Sequence, residues 1–140
     1  MSDKLTTRTI PARNVPQSYH DLLVWQKGIT LTQTIYMLTA AFPPEEKFGL
    51  IAQMRRAAVS IPSNIAEGQA RNATGEFVQF ISHAEGSLAE LDTQLIIATR
   101  LGFITKDKSK PCGDSINELR RMLNGLRHVV SGQKPATNNS

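Results

Sequence analysis

The chain reads as an all-α protein, an antiparallel up-down-up-down four-helix bundle. Three observations predict it. Ile51, Met54, Ala58, Ile61 and Ile65 recur at alternating steps of three and four, and so do Phe77, Ile81, Ala84, Leu88, Leu91, Leu95 and Ala98. That spacing is the seam of a helix packed lengthwise on a partner. A short polar stretch at residues 72–75 lies between the two series, so folding the chain back there sets Ile65 beside Ile81, Ala58 beside Leu88 and Ile51 beside Leu95. Period-two alternation of the β type persists nowhere, and short connections favour the up-down order.

The elements follow in order. Residues 1–18 mix Thr, Pro, Arg and Asn without a period and read as a flexible basic tail. Helix 1 is expected from Ser18 or His20 to about Ala41. Its stripe is Leu22, Trp25, Ile29 and Tyr36, widened by Leu31, Ile35, Leu38 and Phe42. Phe42-Pro43-Pro44 ends it, because a residue before proline is pushed out of the α region. Helix 2 is expected from about Glu45 to Ala70, with Pro44, Glu45 and Glu46 suiting its positive first turn. Pro62 inside it predicts a bend rather than a stop, since the apolar spacing continues through Ile65.

Gly68 and residues 72–75 are expected to break that helix, and Thr74 to cap helix 3, which runs to about Leu101 with Gly102 at its end. Residues 105–113 read as a lysine-rich loop containing Pro111. Helix 4 then spans about Asp114 to Val130 on Ile116, Leu119, Leu123, Leu126 and Val130. The bundle thus occupies residues 19–130, and residues 131–140 read as a flexible polar tail.

A chain of 140 residues supports one domain and can bury a core without disulfides or metal. One cysteine, Cys112, excludes a disulfide framework within the monomer and suits a reducing compartment. No apolar run approaches the roughly 18 residues of a membrane span, and the N-terminus lacks the apolar stretch of a signal peptide. The expected location is the cytoplasm, with no membrane partner.

Helix 2 carries a second stripe, Gln53, Arg56, Ser60, Ser63 and Glu67, displaced by about 200° from the apolar one. In the same register helix 3 offers His83, Gly86 and Glu90, with Arg56 opposite Glu90, Ser60 opposite Gly86 and Ser63 opposite His83. A solvated helix face normally collects Lys and Glu. This one collects small residues with isolated charges, which permits close approach of another backbone and reads as a subunit interface.

A resemblance enters at these residues. Val24-Trp25-Gln26-Lys27, Gly49-Leu50, the run RRAAVSIPSNIAEG over residues 55–68, Glu76-Phe77, the segment from Gly86 to Leu95 and Leu101-Gly102 resemble the four-helix-bundle family of 23S rRNA-intervening sequence proteins. That family was first noticed as open reading frames inserted in bacterial 23S ribosomal RNA genes. The resemblance spans about residues 20–105; helix 4 and the tails match it only in general character. It implies an all-α bundle, a ring-shaped homopentamer and no known catalysis. A more distant similarity, to the accessory protein of diversity-generating retroelements, implies a basic subunit that binds RNA and a reverse transcriptase.

The residues themselves nominate no catalytic site, no cofactor and no metal centre. His20, His83 and His128 have no ligand spacing, and no Glu stands three residues before a His. Residues 68–75 lack the Lys-Ser/Thr of a phosphate loop, and Cys112 has no local partner. Glu67 has Arg71 four residues on, which gives it a structural role first. Trp25 and Tyr36 read as core or interface anchors before base-stacking platforms.

Charge is segregated. The chain carries a net +4. Residues 21–99 hold five basic and eight acidic side chains, a net −3, whereas residues 100–140 hold eight basic and three acidic, a net +5. Lys106, Lys108, Lys110, Arg120, Arg121, Arg127 and Lys134 are therefore the candidates for contact with RNA or single-stranded nucleic acid, made through phosphates with little sequence preference. Arg120 and Arg127, seven apart, lie along one side of helix 4. The expected function is a non-enzymatic homo-oligomer with such a surface. The alternative is a scaffold or accessory subunit that recruits a partner protein and has no nucleic-acid role.

Overall fold

The computed structural model describes residues 18–132. The expected tails, apart from Ser18, Ser131 and Gly132, lie outside the described residues, and so does Lys134. Four helices account for the fold: α1 (Leu23–Thr39), α2 (Leu50–Ala70), α3 (Thr74–Arg100) and α4 (Lys106–Ser131), with 3-10 turns at Tyr19–Asp21 and Pro44–Glu46 and no strand among the described residues. α1 packs on α2 and α4, and α3 on α2 and α4. The Phe42 and Phe103 rings meet at 5.6 Å, which joins the α1–α2 and α3–α4 connections at one end.

Contacts between neighbouring helices fix direction and register. Ser60 and Ser87 hydroxyls are 2.7 Å apart, and Gly68 lies against Phe77 and Phe80, so α2 and α3 run antiparallel within one residue of the expected register. Arg71 clamps their turn, 3.1 Å from Glu67 and 3.7 Å from Glu76. Met54, Ala58, Ile61 and Ile65 of α2 and Ile81, Ala84, Leu88, Leu91, Leu95 and Ala98 of α3 are all buried, as the periodicity requires; Ile51 and Phe77 pack at the rim.

α2 continues through Pro62. A proline at that position deprives the Ala58 carbonyl of its usual donor. The Thr32 hydroxyl of α1 stands 3.1 Å from this carbonyl and 2.9 Å from that of Gly28. The Pro62 ring sits beside Gly28, whose missing side chain leaves it room. Proline in mid-helix is therefore accommodated by α1, an interhelical arrangement that no local rule contains.

Several boundaries differ from expectation. α1 begins at Leu23, after a turn in which the Ser18 hydroxyl accepts from the His20 amide at 3.0 Å. Its core face is Val24, Gly28, Leu31, Ile35 and Thr39; Ile29 and Tyr36 point outward and Trp25 is half-buried. Leu22, Leu31, Ile35 and Phe42 of the expected stripe are buried, and the core positions it lacked include a glycine and a threonine. Thr39 is tolerated because its hydroxyl donates to the Ile35 carbonyl at 2.7 Å and accepts from Arg55 Nε at 2.9 Å. α2 starts at Leu50 rather than Glu45, and a Glu46 carboxylate oxygen accepts from the Leu50 amide at 3.0 Å. Ala73, not Thr74, precedes α3 as its cap residue. Gly68 is no breaker: it is buried inside α2.

α3 ends as expected at Gly102. With φ +80°, Gly102 allows its own amide to bond the Thr99 carbonyl at 3.1 Å and that of Phe103 to bond the Ala98 carbonyl at 2.9 Å. The lysine-rich loop does not exist. α4 starts at Lys106, capped by the Thr105 hydroxyl, which accepts from the Lys108 amide at 3.2 Å. Pro111 is accepted because the carbonyl it leaves without a donor, that of Asp107, is in an exposed turn open to water.

Candidate functional site

Extending α4 back to Lys106 changes where the basic residues stand. Lys106, Lys108 and Lys110 occupy its first two turns and are exposed, as are Arg120 and Arg121 further along. Arg127 is different. It is half-buried, donates to Glu85 and lies 3.0 Å from the Ser82 hydroxyl, tying α4 to α3. Its charge is matched there, so Arg120 and Arg127 do not form a joint cationic edge. Lys110 is held 3.1 Å from Asp114, and Arg120 donates to Asn117.

Two grooves separate α3 from α4. One, of about 560 Å³, includes Arg120 and Arg121 with Glu85 and Asp92. The other, of about 530 Å³, includes Arg100, Lys106 and Lys110 with Asp92 and Asp114. Among the described residues of α3 and α4, Arg100, Lys106, Lys108, Arg120 and Arg121 have no ion-pair partner, and of these only Arg120 makes a side-chain hydrogen bond, to Asn117. Arg100 was not a candidate from the sequence. Its signal was the end of α3, which the short turn after Gly102 places beside the start of α4.

The expected subunit interface is an outward surface. Gln53, Arg56, Ser63, Glu67, His83, Gly86 and Glu90 are exposed, and Ser60 is half-buried. Ser60 is already engaged within the chain: Asn64 Nδ2 donates to its carbonyl at 2.8 Å and to its hydroxyl at 2.9 Å, in addition to the Ser87 contact. Arg56 and Glu90 face outward at similar heights without forming an ion pair; the Glu90 carboxylate instead meets Gln94 Nε2 at 3.4 Å.

Sequence reasoning missed a third surface, the α1–α2 groove, because it assigned Ile29 and Tyr36 to the core. Tyr36 is 44% exposed and Phe48 87%. The Arg55 guanidinium lies over the Tyr36 ring at 4.4 Å.

Cys112 is buried in α4, not in a loop. Burial, and then the negative charge of Asp92, push its thiol from 9.0 up to about 11. The unfolded chain ionises first, so this thiol's contribution to stability is complete below pH 9.0 and is lost as pH rises towards 11. At pH 8 the native protein should resist an alkylating reagent that labels the denatured chain promptly; equal labelling of both forms would place Cys112 at the surface.

Among the described residues no group of three His, Cys, Asp or Glu side chains is arranged to hold a metal ion, and no helix is long and apolar enough to cross a membrane. No curated protein matches the chain. The family model described as 23S rRNA-intervening sequence protein matches residues 20–125, which takes in all of α1, α2 and α3 and most of α4. A four-helix bundle with this sequence signature thus belongs to the family of 23S rRNA-intervening sequence proteins.

Proposed function

We propose that the chain is a non-enzymatic subunit of a homopentameric ring that binds RNA or single-stranded nucleic acid through a basic surface repeated around the ring. The observation that carries this reading is the set of exposed cations that, among the described residues, make neither an ion pair nor a side-chain hydrogen bond, Arg100, Lys106, Lys108 and Arg121, along α4 and the adjoining end of α3. Lys106 and Arg121 are fifteen residues apart on one helix, about 22 Å. That length suits several successive phosphates. Symmetry multiplies a weak site, and linked weak sites gain avidity.

Fluorescence anisotropy with a single-stranded RNA oligonucleotide tests it. Four phosphate contacts per subunit give a slope of about −3 for log affinity against log salt. Reversing Lys106, Lys108 and Arg121 to Glu should weaken binding at least tenfold while leaving helicity unchanged, since all three are exposed. A flat salt response, or no binding at low salt, removes the nucleic-acid role. The scaffold reading is favoured by one observation: Glu85, Asp92 and Asp114 line the same α3–α4 grooves and oppose a polyanion. Under it, the triple reversal leaves a captured partner protein bound.

A further inference from the structure

An apolar groove runs along the α1–α2 side of the bundle. Its first stretch, about 400 Å³, is lined by residues that include Trp25, Ile29, Pro62 and Val59. The second, about 660 Å³, includes Tyr36, Phe48 and Val59, with Lys47, Arg55 and Arg56. Val59 belongs to both, so the two stretches adjoin there, and no carboxylate lines either one. A phenylalanine that is 87% exposed beside such a groove leaves a large apolar area in water.

The adjoining α2–α3 face has the complementary character at matching heights. The Ser60–Ser87 contact sets the levels. Exposed Ile97 and Leu101 stand near the height of Phe48, Glu90 near that of Arg56, and Gly86, with open space where a side chain would be, near that of Val59.

We infer that the α1–α2 groove of one copy seats the α2–α3 face of a second copy, with Phe48 against Ile97 and Leu101, and Arg56 and its neighbouring cations against Glu90. This rests on the homo-oligomer proposed above and assigns its two contact faces. A ring requires two different patches that meet head to tail, and whether the rotation closes depends on the angle between them. In a bundle where each helix touches two neighbours, adjacent faces are turned by roughly 90°, close to the roughly 108° between the contact faces of a five-membered ring, whereas opposite faces would propagate a filament. Rotation about an axis parallel to the helices keeps each residue at its own height. The level-by-level match of apolar with apolar and cation with anion is what that operation needs.

Variants with one added cysteine test the assignment, since native Cys112 is buried and does not compete. Phe48→Cys and Ile97→Cys chains are mixed and oxidised with diamide. A covalent dimer is expected from the mixture and from neither variant alone, and the doubly substituted chain should give a ladder ending at the full ring. An oligomeric native mass without the mixed cross-link, or Phe48→Cys joining to itself as a two-fold contact requires, overturns the face assignment and leaves the oligomer standing. A native mass of 15.4 kDa for the unmodified chain overturns the oligomer itself. Phe48→Ala that keeps the assembled mass but weakens binding of a single-stranded oligonucleotide also overturns the assignment, because the groove would then be a base-stacking platform.

Discussion

Replacing Leu88 with alanine should cost about 2–5 kcal/mol of folding free energy. Leu88 is 2% exposed on the core face of α3, where it also borders the α3–α4 groove beside Ile116. Three carbon atoms are removed there, and their transfer free energy is lost. A second contribution comes from the space left behind. The level of Leu88 on α2 is held by Ala58, a side chain too small to relax into the gap, and the helices on both sides are fixed by the Ser60–Ser87 contact and the Gly68–Phe80 approach. The α2 side of the space should therefore persist. Urea denaturation checks it: the midpoint should fall with the slope unchanged. A loss below 1 kcal/mol would mean that the bundle collapses into the space and that the register at this rung is soft.

Gly68→Ala should destabilise the protein by about 1–3 kcal/mol, although alanine is the better helix former. An added Cβ would stand 2.7 Å from Phe80 Cβ and 3.0 Å from Phe77 Cδ1. The Phe80 Cβ is fixed to the α3 backbone and cannot swing aside, so α2 and α3 must separate near their turn. That separation would disturb Arg71, which bridges Glu67 and Glu76 and lies over the Phe80 ring at 5.1 Å. Gly125→Ala is the control. Gly125 is exposed within α4, with nothing within 4 Å of an added Cβ. The same substitution there should stabilise by up to about 1 kcal/mol through helix propensity alone. Thermal unfolding of the two variants should therefore shift in opposite directions. A shared upward shift would show that Gly68 is not a close-approach position.

The apolar period legible in residues 51–98 specified most of α2 and α3, their register and their core, because every position of that seam is apolar and all but Phe77 are aliphatic, methionine or alanine. α1 was harder. Two faces of it satisfy the helical period, and the correct one includes Gly28 and Thr39, whose suitability depends on Pro62 and Arg55 of α2. The start of α4 was missed because lysines and a proline imitate a loop. The Thr105 cap was present in the sequence, but this helix start is also flanked by Ile104 and Cys112, both buried in the core.

The candidate site divides the same way. Composition located the positive charge in the last third of the chain, since charge is a property of residue types and needs no geometry. Which cations lack a partner is a question of distance. Only the folded chain pairs Arg127 with Glu85, forty-two residues away, holds Lys110 against Asp114 within the second and third turns of a helix, and brings Arg100 to the start of α4. The sequence by itself determined four amphipathic rods and their order, because local periodicity and turn residues act within a few positions. The tertiary structure alone decided which residues of α1 are wet and that Arg127 is matched, because both depend on contacts between residues far apart in the chain.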